Sequence, residues 1–176
     1  MYRWILILVL ILTACSHKSE VISLDLEKNI GPDEIIENLQ MFATSGEKIE
    51  WEMTAGRTKR FLNDRSMIAY DVNLETLNME DKNFYSSDSA YVYEIQDEFI
   101  GMGNVEIITP KGILRTDKII WNRKTDMIHA PNHVYLKRFE HEMWGNNLHT
   151  NSNLDFVNME KVSGMGVVDD NLFTDF

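Results

Sequence analysis

Lys48-Ile49-Glu50-Trp51-Glu52-Met53-Thr54-Ala55 alternates polar and apolar side chains. Successive side chains of a strand point to opposite faces, so Ile49, Trp51, Met53 and Ala55 share one side and Glu50 and Glu52 the other. The segment reads as a half-buried strand. A less regular two-residue period runs through 66–72, 90–95, 99–108, 113–121, 134–139 and 148–156, with Gly112, 122–125, Pro131-Asn132 and Gly145-Asn146-Asn147 as the turns between. Many short strands with hardly any helical period and no strand–helix–strand alternation disfavour a parallel sheet. They predict an all-β antiparallel fold, a β-jellyroll or elongated open β-sandwich.

Upstream of these strands the pattern changes. Residues 33–41 suggest a brief helical turn after Pro32, and 16–34 are polar apart from the alternation at Val21–Leu26. The chain opens Met1-Tyr2-Arg3, continues with an apolar run from Trp4 to Leu12, and reaches Leu12-Thr13-Ala14-Cys15. The 12 residues from Trp4 to Cys15 fall short of the roughly 20 that span a bilayer. Leu12–Cys15 reads as a bacterial lipobox, with Cys15 the lipidated residue; the competing reading is an uncleaved signal-anchor with an incidental cysteine. Two or three acyl chains hold a protein on a membrane where one does not. The expected organisation is a signal peptide at 1–14, a lipidated tether at 15–34, a β domain at 35–166 and an acidic tail at 167–176.

The 176 residues carry 28 acidic and 17 basic side chains, a net charge of −11. With no clustered Lys/Arg block, nucleic acid is not an expected partner. One cysteine excludes an intramolecular disulfide. His129 and His133 are separated by Pro131, which breaks the helix that would bring both rings to one side, so no metal site is expected and the histidines read as exposed or turn residues. No catalytic motif or cofactor loop is present: Gly101-Met102-Gly103 is not followed by a helix pattern, and the carboxylates are scattered. The chain is expected not to be an enzyme. Gly101–Val105 is echoed at Gly164–Val168, and Leu114-Arg115-Thr116 at Leu148-His149-Thr150, as in stacked β units.

The apolar interior is then the feature left to carry function. Trp51, Met53, Ile68, Val92, Val105, Ile107, Leu114, Ile119, Trp121, Ile128, Val134, Leu136, Trp144 and Leu148 fall where alternation turns side chains inward. They form either a closed core or the lining of a sandwich whose sheets admit lipid chains.

The series Pro32-Asp33, Asn38-Leu39, Gly46 and Trp51–Ala55 resembles the opening of the LptC family, the membrane-anchored periplasmic component of lipopolysaccharide export. The series continues with Gly103-Asn104-Val105, Gly112–Thr116, Ile120-Trp121, Asp126–Ile128, Pro131, Val134, Gly145 and Leu148. It also resembles the related LptA and OstA-type domains. Many members keep a transmembrane helix where this chain has a lipobox, and Ser16 leaves the choice between inner and outer membrane open, the inner being favoured. The resemblance implies a β-jellyroll with an apolar groove and backbone turns at Gly103, Gly112 and Gly145. It further implies that lipopolysaccharide acyl chains arrive from an inner-membrane ABC export complex and pass to an LptA-like bridge protein through edge strands. The alternative is a structural or protein-binding surface lipoprotein with a closed β-sandwich core. Lys111, Arg115, Lys118, Arg123, Lys124, Lys137 and Arg138 gather positive charge in the second half, either to offset lipid phosphates or as a solvated face.

Overall fold

A computed structural model describes residues 31–76 and 82–166. The expected signal peptide, the lipidated Cys15, most of the tether and the acidic tail lie outside these residues. Nine antiparallel strands follow one another in a single sheet, in chain order: β1 Glu34–Ser45, β2 Lys48–Phe61, β3 Ser66–Thr76, β4 Asn83–Tyr93, β5 Glu98–Thr109, β6 Gly112–Asn122, β7 Met127–Arg138, β8 His141–Asn151 and β9 Val157–Met165. The described residues contain no helix. The fold is all-β and elongated, of the jellyroll type, as the alternation predicts. The sheet does not close, and among the described residues β1 and β9 each have one neighbour.

The strands are long because each is two short strands joined at a crease. The β1–β2 ladder is interrupted where Asn38 lies opposite Gly56, the β2–β3 ladder at Gly56 and Asp71, and the β3–β4 ladder at Asp71 and Asp88. The next five pairs break at mid-strand with a register shift: at 87–88 against 103–105, then 117, 131–132, 147 and 159 in turn. Interruptions lined up across every strand bend the sheet along one line, as bulges do. Asn38, Asp71, Gly103, Asn104, Asn147 and Lys161 have positive φ there, a conformation that Gly, Asn and Asp adopt most readily. Asn104 Nδ2 donates to Asp88 Oδ2 at 2.9 Å across the crease, and a Cβ at Gly103 would press on that same carboxylate.

The crease folds the two halves of the sheet over a shared apolar interior. Beside it the inward side chains are mostly small: Ala55, Val72, Ser87 and Val105 on one half, Thr58, Ala69, Ala90 and Gly101 on the other. One step further out they are larger, with Met53, Leu74, Tyr85 and Ile107 against Met67, Val92, Phe99 and Trp121. This taper suits a wedge that narrows toward its fold line. Tyr85 of one half stacks on Trp121 of the other at 5.2 Å, so the halves touch face to face.

Three expectations are overturned. Of residues 33–41, expected as a helical turn, 34–41 lie in strand β1: the crease at Asn38 places Ile36 and Leu39 on one face, a spacing of three that imitates a helix. Pro131-Asn132 and Gly145-Asn146-Asn147 are not turns; they lie in mid-strand in β7 and β8, where the crease uses the same residue types. The strand expected at 148–156 stops at Asn151, and 152–156 turn into β9.

Candidate functional site

The interior collects most of the residues singled out by periodicity. Met53, Val92, Val105, Ile107, Leu114, Ile119, Trp121, Ile128, Val134, Leu136 and Leu148 are buried in one cluster, and Trp51 packs against it half-covered. Ile68 and Trp144 do not join them. Ile68 sits between buried Met67 and Ala69 and so faces outward, while Trp144 faces outward beside Tyr135, the rings 5.6 Å apart. Both misplacements come from the crease. Counting by twos from Val72 leads to Ile68, and from Leu148 to Trp144, but the fold line at Asp71 and Asn147 shifts the inward parity by one. Gly103 lies on the crease, Gly112 opens β6 after the Pro110-Lys111 turn, and Gly145 is buried in β8 with Glu160 O and Met159 against its face.

From β4 to β8 the wedge is shut by the β8–β9 connection. Tyr85 Oη and Asn83 Nδ2 donate to Ser152 O at 2.9 and 3.3 Å, Asn83 Nδ2 also reaches Asn153 Oδ1 at 2.7 Å, and Leu154 is fully buried beneath. Trp121 Nε1 donates to Asp126 Oδ1 at 3.2 Å, and Asp126 Oδ1 also accepts from Ser152 N. Lys111 pairs with Asp155 on the outside of the same plug. Burial pushes the Tyr85 phenol up to about 12, against partial relief from its hydrogen bonds to Asn83 and Ser152. The exposed Asp155 carboxyl is held below the usual carboxylate range by Lys111, then by Asn151.

At the β1 end the covering is thinner. Leu39 and Met41 of the edge strand β1 and Trp51 of β2 pack on the core without being enclosed, and the stretch of β1 from Leu39 to Ser45 carries no charge. Natural edge strands usually carry charge or Pro that discourages pairing with another chain. The other half of β1 does so, with Glu37 to Arg57 at 3.3 Å and Glu34 to Arg60 at 3.5 Å. At the β9 end, Met143, Val157 and Met159 are likewise half-covered.

The outer face offers a different feature. A depression of about 400 Å³ is lined by Glu52, Glu75 and Glu106 with the partly exposed Phe84 and Ile108. The carboxylates are engaged: Glu75 with Lys82 at 2.7 Å, Glu106 with Arg115 at 2.6 Å, and Glu52 with Gln40 at 2.7 Å. Arg123 and Lys137 pair with Asp97 and Glu142 at 3.1 and 3.6 Å. Lys111, Arg115, Arg123 and Lys137 of the positively charged second half therefore pair with neighbouring carboxylates at the rims and on the outer face. His129 and His149, directly opposed on β7 and β8, stack at 4.4 Å and are half-buried, neither exposed nor in turns. His129 Nε2 contacts Asn147 Oδ1 at 2.7 Å. Among the described residues no group of three or more His, Cys, Asp or Glu is placed to hold a metal ion, and no helix is long and apolar enough to cross a membrane.

Compared with protein-family models and with curated proteins, the chain matches none.

Proposed function

We propose that this chain is a non-enzymatic carrier of lipopolysaccharide, lipidated at Cys15 on the periplasmic side of a membrane, the inner membrane being favoured over the outer. It takes acyl chains from an inner-membrane ABC export complex and passes them to an LptA-like bridge protein. The observation that carries the reading is the creased sheet: one apolar interior continuous across nine strands, ending half-covered beside two edge strands. Acyl chains held there would be shielded from water at about 25 cal/mol per Å² of apolar surface, with sugars and phosphates outside. The ordered likeness to LptC supports the same reading, and the outer edges of β1 and β9, without a neighbouring strand among the described residues, suit transfer by strand addition, which would join one interior to the next.

A second reading, a surface lipoprotein with a closed core, draws on the complete burial of Ile107, Leu114, Leu136 and Leu148. In-cell photocrosslinking separates the two. Probes at Trp51, Met41 and Trp121 should give adducts carrying lipopolysaccharide, and outward controls at Glu50 and Asp117 should not. Well-folded probe proteins that give no adduct while export is running would favour the closed-core lipoprotein.

A further inference from the structure

We infer that the β1 side of the interior selects acyl chains carrying a hydroxyl near the head through the hydroxyls of Thr58 and Ser87. The inference rests on the carrier reading and narrows its ligand.

The interior hydroxyls divide into two sets. On β6 and β8 they are committed: Thr116 Oγ1 donates to His133 O at 2.9 Å and Thr150 Oγ1 to Phe156 O at 2.5 Å. Tyr85 is tied to Ser152, as described. On β2 and β4 they are not. Thr58 is 0% exposed and Ser87 8%, and neither Oγ has a hydrogen-bond partner among the described residues. An unmade hydrogen bond in an apolar interior is a cost that Val or Ala at these positions would avoid. Both flank the crease on opposite halves, two strands apart, with Ser87 three residues along β4 from Ala90, the residue in register with Thr58.

Their surroundings differ from the rest of the fold line. Thr58 stands in register with Ala69 and Ala90, and the row continues to Gly101, whereas on β6 and β8 the corresponding positions hold Ile119 and Leu148. Thr58 is one strand in from β1 and opposite Ile36, on the side away from the plug. An acyl chain parting the halves from the β1 edge would meet Thr58 first and Ser87 further in. A hydroxyl both donates and accepts, so either can serve a ligand hydroxyl in both roles.

The test uses the full-length protein in lipid nanodiscs, labelled by a diazirine-bearing tetradecanoic acid and competed by tetradecanoic or 3-hydroxytetradecanoic acid. Partition into the bilayer is common to all variants, so the informative quantity is the ratio of the two competitors, wild type against Thr58→Val/Ser87→Ala. That ratio should favour the hydroxy acid in the wild type and fall by roughly fivefold in the double variant, the yield of about one hydrogen bond. Each single variant should fall part of the way, and Thr58→Ser should retain the preference. Melting temperatures should match or exceed the wild type, since only unpartnered hydroxyls are removed. A ratio that does not change overturns the inference and leaves the carrier reading standing. No specific labelling of the wild type overturns both, and a folded double variant that binds neither acid overturns the inference, because the hydroxyls are assigned selectivity alone.

Discussion

The middle of the interior and its β1 end are built from the same sheet and the same crease, yet they differ in three respects. From β5 to β8 the inward side chains are mostly enclosed, the inward hydroxyls of β6 and β8 are bonded, and Leu154 plugs the wedge. At β1 and β2, Leu39, Met41 and Trp51 are half-covered, Thr58 Oγ1 has no partner among the described residues, and the edge stretch from Leu39 to Ser45 is uncharged. Ordinary packing economics explains the first region completely. The second keeps apolar and polar groups in states that a protein selected for stability alone would improve, and this divides the interior into a tightly packed region and a loosely covered one.

The sharpest way to break the contrast is to remove equivalent bulk from each side. Leu136→Ala leaves a cavity in the closed middle and should cost about 2–5 kcal/mol, the range for buried leucine. Met41→Ala, where solvent already reaches, should cost about 1 kcal/mol. Urea unfolding of both variants reads the difference. Equal losses would mean that the β1 end is as tightly packed as the centre, and the division would fall.

The plug provides the next test through pH. Tyr85 titrates near 10 in an unfolded chain and near 12 here because burial opposes its charge. Below pH 10 its neutral form costs nothing in either state. As pH rises from 10 toward 12 the unfolded phenol ionises ahead of the folded one, so stability drops across that window, by about 2 kcal/mol at pH 12. Tyr85→Phe should remove this part of the alkaline slope, although it loses the bond to Ser152 O at neutral pH. Absorbance at 295 nm should show one phenol fewer titrating late.

Strand content and most of the cleft lining were legible in the sequence because alternation survives within each half-strand. The crease was not, and it accounts for the errors. Buried neighbours on its two sides are three apart in β2, β3, β4, β6 and β8 (Ala55 to Thr58, Ala69 to Val72, Ser87 to Ala90, Thr116 to Ile119, Gly145 to Leu148) and four apart in β5 and β7. Those are helical intervals, so a reading by twos carries the wrong parity past each one and delivers Ile68 and Trp144 to the wrong face. A signal was present: Asn38, Gly56, Asp71, Asp88, Gly103-Asn104, Asp117, Pro131-Asn132 and Asn147 recur at the middle of successive strands. Such residues serve turns as readily as bulges, and only the pairing of flanking segments into continuous ladders decides between them. Thr58 and Ser87 carried no signal, since whether a hydroxyl has a partner depends on the folded neighbours.

The smallest effect belongs to the outer side of the plug. Asp155 is exposed and its carboxyl lies below the ordinary 3.8, chiefly through Lys111 and then Asn151. A carboxyl depressed on folding stabilises above its unfolded pKa, and that contribution disappears as pH falls through the folded value. Solvent screens this pair, so Lys111→Met should leave the urea midpoint almost unchanged at pH 7, whereas Tyr85→Phe on the buried side of the same connection should lower it. The direct readout is carboxyl NMR: the Asp155 midpoint should move up toward 3.8 in Lys111→Met and stop short of it, because Asn151 Nδ2 still donates to Asp155 Oδ2 at 2.7 Å. An unmoved midpoint would remove Lys111 from the account and leave the plug held by the burial of Leu154 and by its contacts to Asn83, Tyr85, Asp126 and Thr150.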